Sequence, residues 1–199
     1  MSELENVLCV TNRHLARPVW GEQTEEGALL ARIACVCVAR PRAVVLREKD
    51  LSVVDYARLA RKVLAVCRAA DVPCLLHSFV EVACELGVRN IQLPLPRLRT
   101  LTAAQKKQFS VLGASCHSLA DAQEAERLGA TFVTLGHIYA TDCKRGLPPR
   151  GLDLLREVTA GVRLPVYAIG GITRARIPEV LSAGATGACV MSGLMQGAF

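Results

Sequence analysis

The sequence has few aromatic residues, and it contains no apolar run long enough to span a membrane. Aromatic side chains make up 4% of the 199 residues, so Leu, Val, Ala and Ile must fill the core. A membrane helix needs about 20 consecutive apolar residues, and no segment approaches that length. The chain starts with MSELENVL, which lacks the basic and then apolar pattern of a signal peptide. We therefore expect a cytoplasmic protein with no membrane partner.

The usual signatures of metal, dinucleotide and nucleic-acid sites are also missing. The nine cysteines form no CxxC pair, and neither HxH nor HExxH occurs. No GxGxxG follows the first apolar run, which argues against a dinucleotide site. The 24 basic residues are scattered, although the net charge of +6 favours an anionic ligand. We expect buried thiols in a reducing compartment, and no bound metal, cofactor or nucleic acid.

Eight short apolar runs alternate with amphipathic segments along the chain. Continuous apolarity within each run predicts parallel strands that are covered on both faces. The predicted strands cover residues 8–12, 43–48, 74–78, 90–94, 112–117, 132–137, 166–171 and 187–193. This alternation predicts an α/β fold, a single-domain (β/α)8 TIM barrel over residues 1–199 with a short or missing last helix. An open doubly wound sheet is the alternative, and the pattern leaves a homo-oligomer open.

Polar side chains gather at the carboxyl ends of the predicted strands, the face where a barrel builds its active site. All four histidines lie at or just after such an end: His14, His77, His117 and His137. Arg47, Glu48 and Lys49 end the second strand, where they form either a solvated strand end or a clamp for an anionic group.

Two glycine-containing turns follow the last two strands. Gly170 and Gly171 follow the seventh strand, and Ser192 and Gly193 follow the eighth. Barrels often bind phosphate at these positions, where glycine exposes backbone N–H groups. We therefore expect a phosphate site there, with two simple tight turns as the alternative.

The longest irregular stretch covers residues 136–151. It contains Thr141, Lys144, Arg145 and Arg150, with Gly and Pro around them. Loops of this length in a compact domain are usually functional or disordered. The composition favours a mobile cationic lid that closes on an anion, and an idle surface loop is the alternative.

Five segments together resemble the thiamine phosphate synthase superfamily. They are VLREKDL (45–51), GASCHS (113–118), LGHIYATDCKRG (135–146), AIGGIT (168–173) and VMSGL (190–194). Within this superfamily the sequence is most similar to the TenI-type thiazole tautomerase branch, because Gly136-His137 stands where a synthase usually has Gly-Pro. His77-Ser78 replaces the Asn-Asp pair of a synthase, and the turn Pro94–Arg97 carries none of the expected carboxylates. Val45 occupies the position of a common Gln.

The resemblance implies an isomerase of thiamine biosynthesis. Such a thiazole tautomerase aromatises a carboxythiazole phosphate without metal or cofactor, and its catalytic histidine corresponds to His137. The resemblance also implies a set of residues that bind the phosphorylated thiazole: Arg47, Lys49, His77, Ser115, Thr141, Asp142, Cys143, Lys144, Gly170, Gly171, Met191, Ser192 and Gly193. Two alternatives remain, a Mg²⁺-dependent thiamine phosphate synthase and a non-catalytic protein that binds thiazole phosphate.

Overall fold

The computed structural model describes residues 4–144 and 146–199, except for the side chain of Cys143. Its eight parallel strands pair in chain order and close into a barrel. The strands are β1 (Val7–Val10), β2 (Ala43–Leu46), β3 (Cys74–His77), β4 (Asn90–Pro94), β5 (Val111–Cys116), β6 (Phe132–Gly136), β7 (Val166–Ile169) and β8 (Gly187–Val190). The predicted TIM barrel is thereby confirmed over the open sheet.

Helices follow the strands, as the alternating pattern predicts. They are α1 (Glu25–Val38), α2 (Val53–Ala69), α3 (Val80–Glu85), α4 (Leu95–Arg99), α5 (Ala103–Lys106), α6 (Leu119–Arg127), α7 (Gly151–Gly161), α8 (Ile177–Ser182) and α9 (Ser192–Gln196). Helix α9 is only five residues long, which confirms the short last helix. Among the helices in the described ranges, none is long and apolar enough to cross a membrane.

Serine side chains fix the start of two of these helices. Ser52 accepts a hydrogen bond from the backbone N–H of Asp55 at the start of α2. Ser118 accepts one from the backbone N–H of Asp121 at the start of α6. Each bond satisfies a backbone donor that the first helical turn would otherwise leave unpaired.

Several strands end earlier than the sequence predicts. Strand β7 ends at Ile169 rather than at residue 171, and β8 ends at Val190 rather than at residue 193. Gly170 and Gly171 have φ angles of 100° and 64°, which no strand residue adopts. The predicted strands had included the glycine turns that follow them, where the backbone has already left the extended conformation.

The chain divides into two compact units. The first runs as far as Asn90 and includes Val190–Phe199, and the second comprises Ile91–Cys189. In the first unit, Leu46 and Leu76 are fully buried neighbours on paired strands. In the second unit, Val133 and Leu135 are fully buried on β6. The single domain expected over residues 1–199 stays a prediction.

Candidate functional site

In the first unit, the carboxylate of Glu48 is buried just after β2. The Thr11 hydroxyl donates to its Oε1 at 2.7 Å. The backbone N–H of Arg13 donates to the same carboxylate at 3.1–3.2 Å, and its guanidinium does so at 3.3 Å. Only 2% of Glu48 is exposed. Glu48 is therefore a structural anchor between the loops after β1 and β2, not a member of a solvated strand end.

Arg47 and Lys49 flank this anchor, and both act electrostatically on His77. Leu46 on β2 pairs with Leu76 on β3. Arg47 and His77 are the next residues on the two neighbouring segments. Burial, and then the charges of Lys49 and Arg47, lowers the pKa of His77 to about 3. The imidazole is therefore neutral at physiological pH. Ser78 Oγ lies 2.8 Å from its Nδ1.

Tyr56 fixes the ends of these two strands. Its hydroxyl donates to the Leu46 carbonyl at 2.7 Å and accepts from the His77 backbone N–H at 2.9 Å. Its ring stacks on Phe79 with centroids 3.9 Å apart. A fully buried side chain of α2 thus holds the backbone that carries Arg47 and His77.

An exposed charge network lies beside the Glu48 anchor. Arg13 pairs with both carboxylate oxygens of Asp50. His14 lies 2.9 Å from Glu25 and 3.0 Å from Asp50, and Glu25 followed by Asp50 raises the pKa of His14. His14 is thus tied into ion pairs at the surface.

The predicted phosphate turn after β8 also lies in the first unit. Met191 and Gly193 are half-buried, and Ser192 is exposed at the first residue of α9. A Cβ on Gly193 would lie 3.1 Å from the ring of Phe199. The ring of Phe199 therefore packs beside Gly193, and the phosphate contact of Met191, Ser192 and Gly193 stays a prediction.

In the second unit, Ser115 belongs to a polar cluster that the sequence did not reveal. Gln92 Nε2 donates to Thr134 Oγ1 at 2.9 Å and to Ser115 Oγ at 3.2 Å. Thr134 Oγ1 lies 3.4 Å from Ser115 Oγ. Three neutral polar side chains from β4, β5 and β6 thus meet among apolar neighbours.

The two histidines of the second unit have different surroundings. His117 is exposed, and its Nδ1 lies 2.7 Å from the Gly136 carbonyl, which fixes the proton on Nδ1. His137 is 7% exposed, and its Nε2 lies 3.3 Å from the Leu147 carbonyl. His137 is therefore buried under the loop that follows it.

Gly170 and Gly171 allow two backbones to approach closely. A Cβ on Gly170 would collide with His137, and one on Gly171 would collide with the Ala140 carbonyl and lie 2.8 Å from Tyr139 Cβ. The backbone N–H of Tyr139 donates to the Gly170 carbonyl at 3.1 Å. The glycines thus accommodate residues 137–140 directly, and their expected phosphate contact stays a prediction.

The long loop after β6 is closed at its base. The backbone N–H of Arg150 donates to the His137 carbonyl at 2.9 Å, and that of Gly151 donates to Ile138 at 3.0 Å. Thr141 is half-buried, whereas Asp142 and Lys144 are exposed. The Cys143 side chain and Arg145 lie outside the described residues. The predicted lid movement stays a prediction.

The residues present do not fit the Mg²⁺ site of a synthase. The turn after β3 carries His77 and Ser78, and the chain after β4 enters α4 with Leu95, Pro96 and Arg97. Within residues 4–144 and 146–199, no group of three or more His, Cys, Asp or Glu side chains is placed to hold a metal. Neither turn carries a carboxylate, the side chain through which proteins usually bind Mg²⁺.

The predicted site residues thus fall into two groups. Arg47, Lys49, His77, Met191, Ser192 and Gly193 belong to the first unit, whereas Ser115, His137, Thr141, Asp142, Cys143, Lys144, Gly170 and Gly171 belong to the second. Sequence reasoning missed the supporting residues Thr11, Gln92 and Thr134. The sequence feature that could have indicated them is a polar side chain within an apolar run, or directly after one.

Comparisons with known sequences agree with each other. The family model described as thiamine monophosphate synthase (TMP-TENI) matches residues 16–194. A putative thiamine-phosphate synthase of Geobacter sulfurreducens is 32% identical, over 94% of this chain and 84% of the relative. Thiamine-phosphate synthase 2 of Streptococcus pneumoniae is 30% identical, over 94% of this chain and 86% of the relative.

Solved structures give the same picture of the fold. A thiamine phosphate pyrophosphorylase from Pyrococcus furiosus superposes with a TM-score of 0.77 at 24% identity, covering 98% of this chain and 89% of that one. FabK from Thermotoga maritima superposes with a TM-score of 0.68 at 18% identity, covering 98% of this chain and 60% of that one. At these identities the similarity concerns the barrel fold alone.

The names of the relatives correct one sequence-based expectation. The resemblance implies an isomerase, whereas the curated relatives are named thiamine-phosphate synthase, which is a transferase. The isomerase prediction is therefore wrong. The proton-transfer role predicted for His137 depended on that activity.

Proposed function

Because this chain belongs to the thiamine monophosphate synthase family, we propose that it is a transferase that joins a pyrimidine diphosphate to a thiazole phosphate. In this reaction the thiazole nitrogen forms a bond to the methylene carbon of the pyrimidine. The bond from that carbon to the diphosphate oxygen breaks, and the diphosphate leaves with the electron pair. Family membership over residues 16–194 supports the reaction class.

The observation that carries the proposal is that Arg47 and Lys49 follow the end of β2 beside the buried His77, which ends the paired strand β3. A departing diphosphate gains negative charge, and fixed cations stabilise that charge most where water is partly excluded. His77 adds no positive charge of its own at neutral pH, so it serves as a neutral hydrogen-bonding group. The first unit therefore offers a diphosphate site made from the protein's own side chains.

The anchor at Glu48 supports this role. Its carboxylate is engaged by the Thr11 hydroxyl and the Arg13 guanidinium, so much of its negative charge is balanced within the protein. Without this engagement, a carboxylate between Arg47 and Lys49 would repel a diphosphate. The local charge available to a ligand is accordingly positive. We assign no step to Mg²⁺, since the turns after β3 and β4 lack its ligands.

The test is to incubate the purified protein with both substrates and to measure thiamine phosphate and released diphosphate. We expect product formation, and we expect Arg47→Met to lower kcat/KM by about 100-fold through the lost charge-assisted contact. Arg68→Met, on the exposed surface of α2, is the matched control and should retain full activity. Tight binding of both substrates without product would overturn the transferase and favour the non-catalytic binding protein.

A further inference from the structure

In the second unit, the side chain of Arg176 connects the turn after β7 to the loop after β6. Arg176 Nη1 donates to the Gly171 carbonyl at 2.7 Å. The same guanidinium lies over the Tyr139 ring, with its Cζ atom 4.4 Å from the ring centroid. At this distance a guanidinium is attracted by the negative face of an aromatic ring. Tyr139 and Gly171 are therefore joined through one side chain.

The Tyr139 ring is held at its hydroxyl end as well. Its hydroxyl donates to Glu179 Oε2 at 2.7 Å. Burial, and then this hydrogen bond, raises the pKa of Tyr139 to about 12, so the hydroxyl keeps its proton at physiological pH. Glu179 lies on α8, which ties the ring to a helix of the same unit. We call Tyr139, Arg176 and Glu179 the tyrosine–arginine clamp.

Hydrogen bonds to two consecutive carbonyls set the direction of the peptide groups in the turn after β7. The Gly170 carbonyl accepts from the backbone N–H of Tyr139 at 3.1 Å. Arg176 engages the Gly171 carbonyl in the same way. Because the N–H of a planar trans peptide points opposite to its carbonyl, the N–H groups of Gly171 and Ile172 point away from these two partners. Among the residues that the structure describes, neither N–H donates a hydrogen bond.

The peptide group between Gly171 and Ile172 needs this support, because glycine restrains it little. Gly171 is half-buried and has a φ angle of 64°, and glycine populates positive and negative φ about equally readily. Without a donor to its carbonyl, the peptide group could rotate and present its oxygen where the N–H now lies. An oxygen there would repel an anion, whereas a backbone N–H binds one. Arg176 thus favours the orientation that accepts a phosphate.

We propose that Arg176 and Tyr139 are positioning residues that orient the Gly171–Ile172 peptide group so that its N–H donates to a bound phosphate. The assignment rests on the proposed function, which supplies the phosphorylated ligand. Arg176 acts through the carbonyl of the turn, and Tyr139 acts by holding Arg176. The phosphate at this turn is already predicted from the sequence, and the clamp explains how its donors are kept in place.

The experiment titrates inorganic phosphate into protein labelled with ¹⁵N at isoleucine and follows the amide signals by NMR. Ile172→Val removes one signal and thereby identifies the Ile172 amide. In the wild-type protein the Ile172 amide proton should move downfield as phosphate binds, because it gains a hydrogen bond to an anion. Arg176→Met should weaken phosphate binding about three- to tenfold, which corresponds to the loss of one hydrogen bond, and should reduce the downfield shift at saturation.

Matched variants separate positioning from charge and from folding. Tyr139→Leu keeps the charge of Arg176 but removes the ring beside it, so it should weaken phosphate binding to a similar extent. Tyr139→Phe keeps the ring and should retain most of the affinity. Arg163→Met removes an exposed positive charge of the same unit and should bind phosphate like the wild type. The other isoleucine signals report whether each variant is folded.

An Ile172 signal that phosphate does not move in the wild-type protein would overturn the proposal, whether or not the protein catalyses the transfer. Weaker binding in Arg176→Met without any change in Tyr139→Leu would also overturn it, because Arg176 would then act through its charge alone. Unchanged binding in both variants would show that the clamp has no positioning role. The expected shifts without any transfer would support the clamp and refute only the proposed transferase.

Discussion

The buried hydroxyl of Thr11 donates to the carboxylate of Glu48 across a separation of 37 residues. The same hydroxyl accepts a hydrogen bond at 2.9 Å from the backbone N–H that precedes Glu48. One threonine thus fixes both the backbone and the side chain at the end of β2. The geometry of the cation pair depends on this contact.

Replacing Thr11 by Val should weaken both folding and diphosphate binding. The change removes the shortest hydrogen bond to the buried carboxylate, whose Oε1 then keeps only the longer bond from the Arg13 backbone N–H, and this should lower the free energy of unfolding by about 1–3 kcal/mol. It also releases the Arg47 backbone, so affinity for inorganic diphosphate should fall severalfold. Urea unfolding and calorimetry measure the two effects. Thr11→Ser retains the hydroxyl and should restore the affinity; failure of this rescue would contradict the role of the hydrogen bond.

Diphosphate binding should not require a divalent cation. Arg47 and Lys49 supply the positive charge, and the turns after β3 and β4 supply no carboxylate for Mg²⁺. Inorganic diphosphate should therefore bind with EDTA at least as tightly as with Mg²⁺, which neutralises part of the ligand's charge. Titration calorimetry under the two conditions measures this directly. A strict requirement for Mg²⁺ would refute the metal-free site.

Acid should destabilise the fold through His77. Its pKa is about 3 in the folded chain, because of burial and then Lys49 and Arg47, and about 6.5 when unfolded. Since the folded value is the lower one, the stabilisation is fully present above pH 6.5 and declines as the pH falls. Between pH 7 and pH 5 we expect a loss on the order of 2 kcal/mol in the free energy of unfolding.

Urea unfolding at both pH values tests this expectation in His77→Asn and in His117→Asn. In His77→Asn, the free energy of unfolding should change much less between pH 7 and pH 5 than in the wild type. The second variant removes an exposed histidine of the other unit and should keep the pH dependence of the wild type. An identical pH dependence in wild type and His77→Asn would show that His77 is not responsible.

Gly171 should tolerate alanine much less well than Gly87. Both have positive φ, 64° and 65°, so both substitutions carry a backbone cost of roughly 1–2 kcal/mol. Gly87 has open space where a Cβ would lie, whereas Gly171 faces the Ala140 carbonyl. The additional overlap should cost Gly171→Ala roughly 1–3 kcal/mol more in unfolding free energy. Equal unfolding curves for the two variants would contradict the close packing.

The sequence predicted the barrel because each strand is an uninterrupted apolar run and each intervening helix is amphipathic. It placed Arg47, Lys49 and His77 at the ends of β2 and β3, because polar residues at strand ends stand out against those runs. It did not reveal the contact between Gln92 and Thr134, which lie 42 residues apart and meet only when strands pair. The Gly136-His137 pattern favoured the prediction of an isomerase. Two residues were too few to decide which reaction the family member catalyses.

The long loop after β6 begins and ends at the same place, because Arg150 and Gly151 bond back to His137 and Ile138. These two hydrogen bonds hold the ends of the loop together. A loop closed at its base can change in length and sequence at little cost, since the entropy of closing a loop changes only slowly with its length. Substitutions in this loop could therefore change ligand preference during evolution while the barrel stays the same.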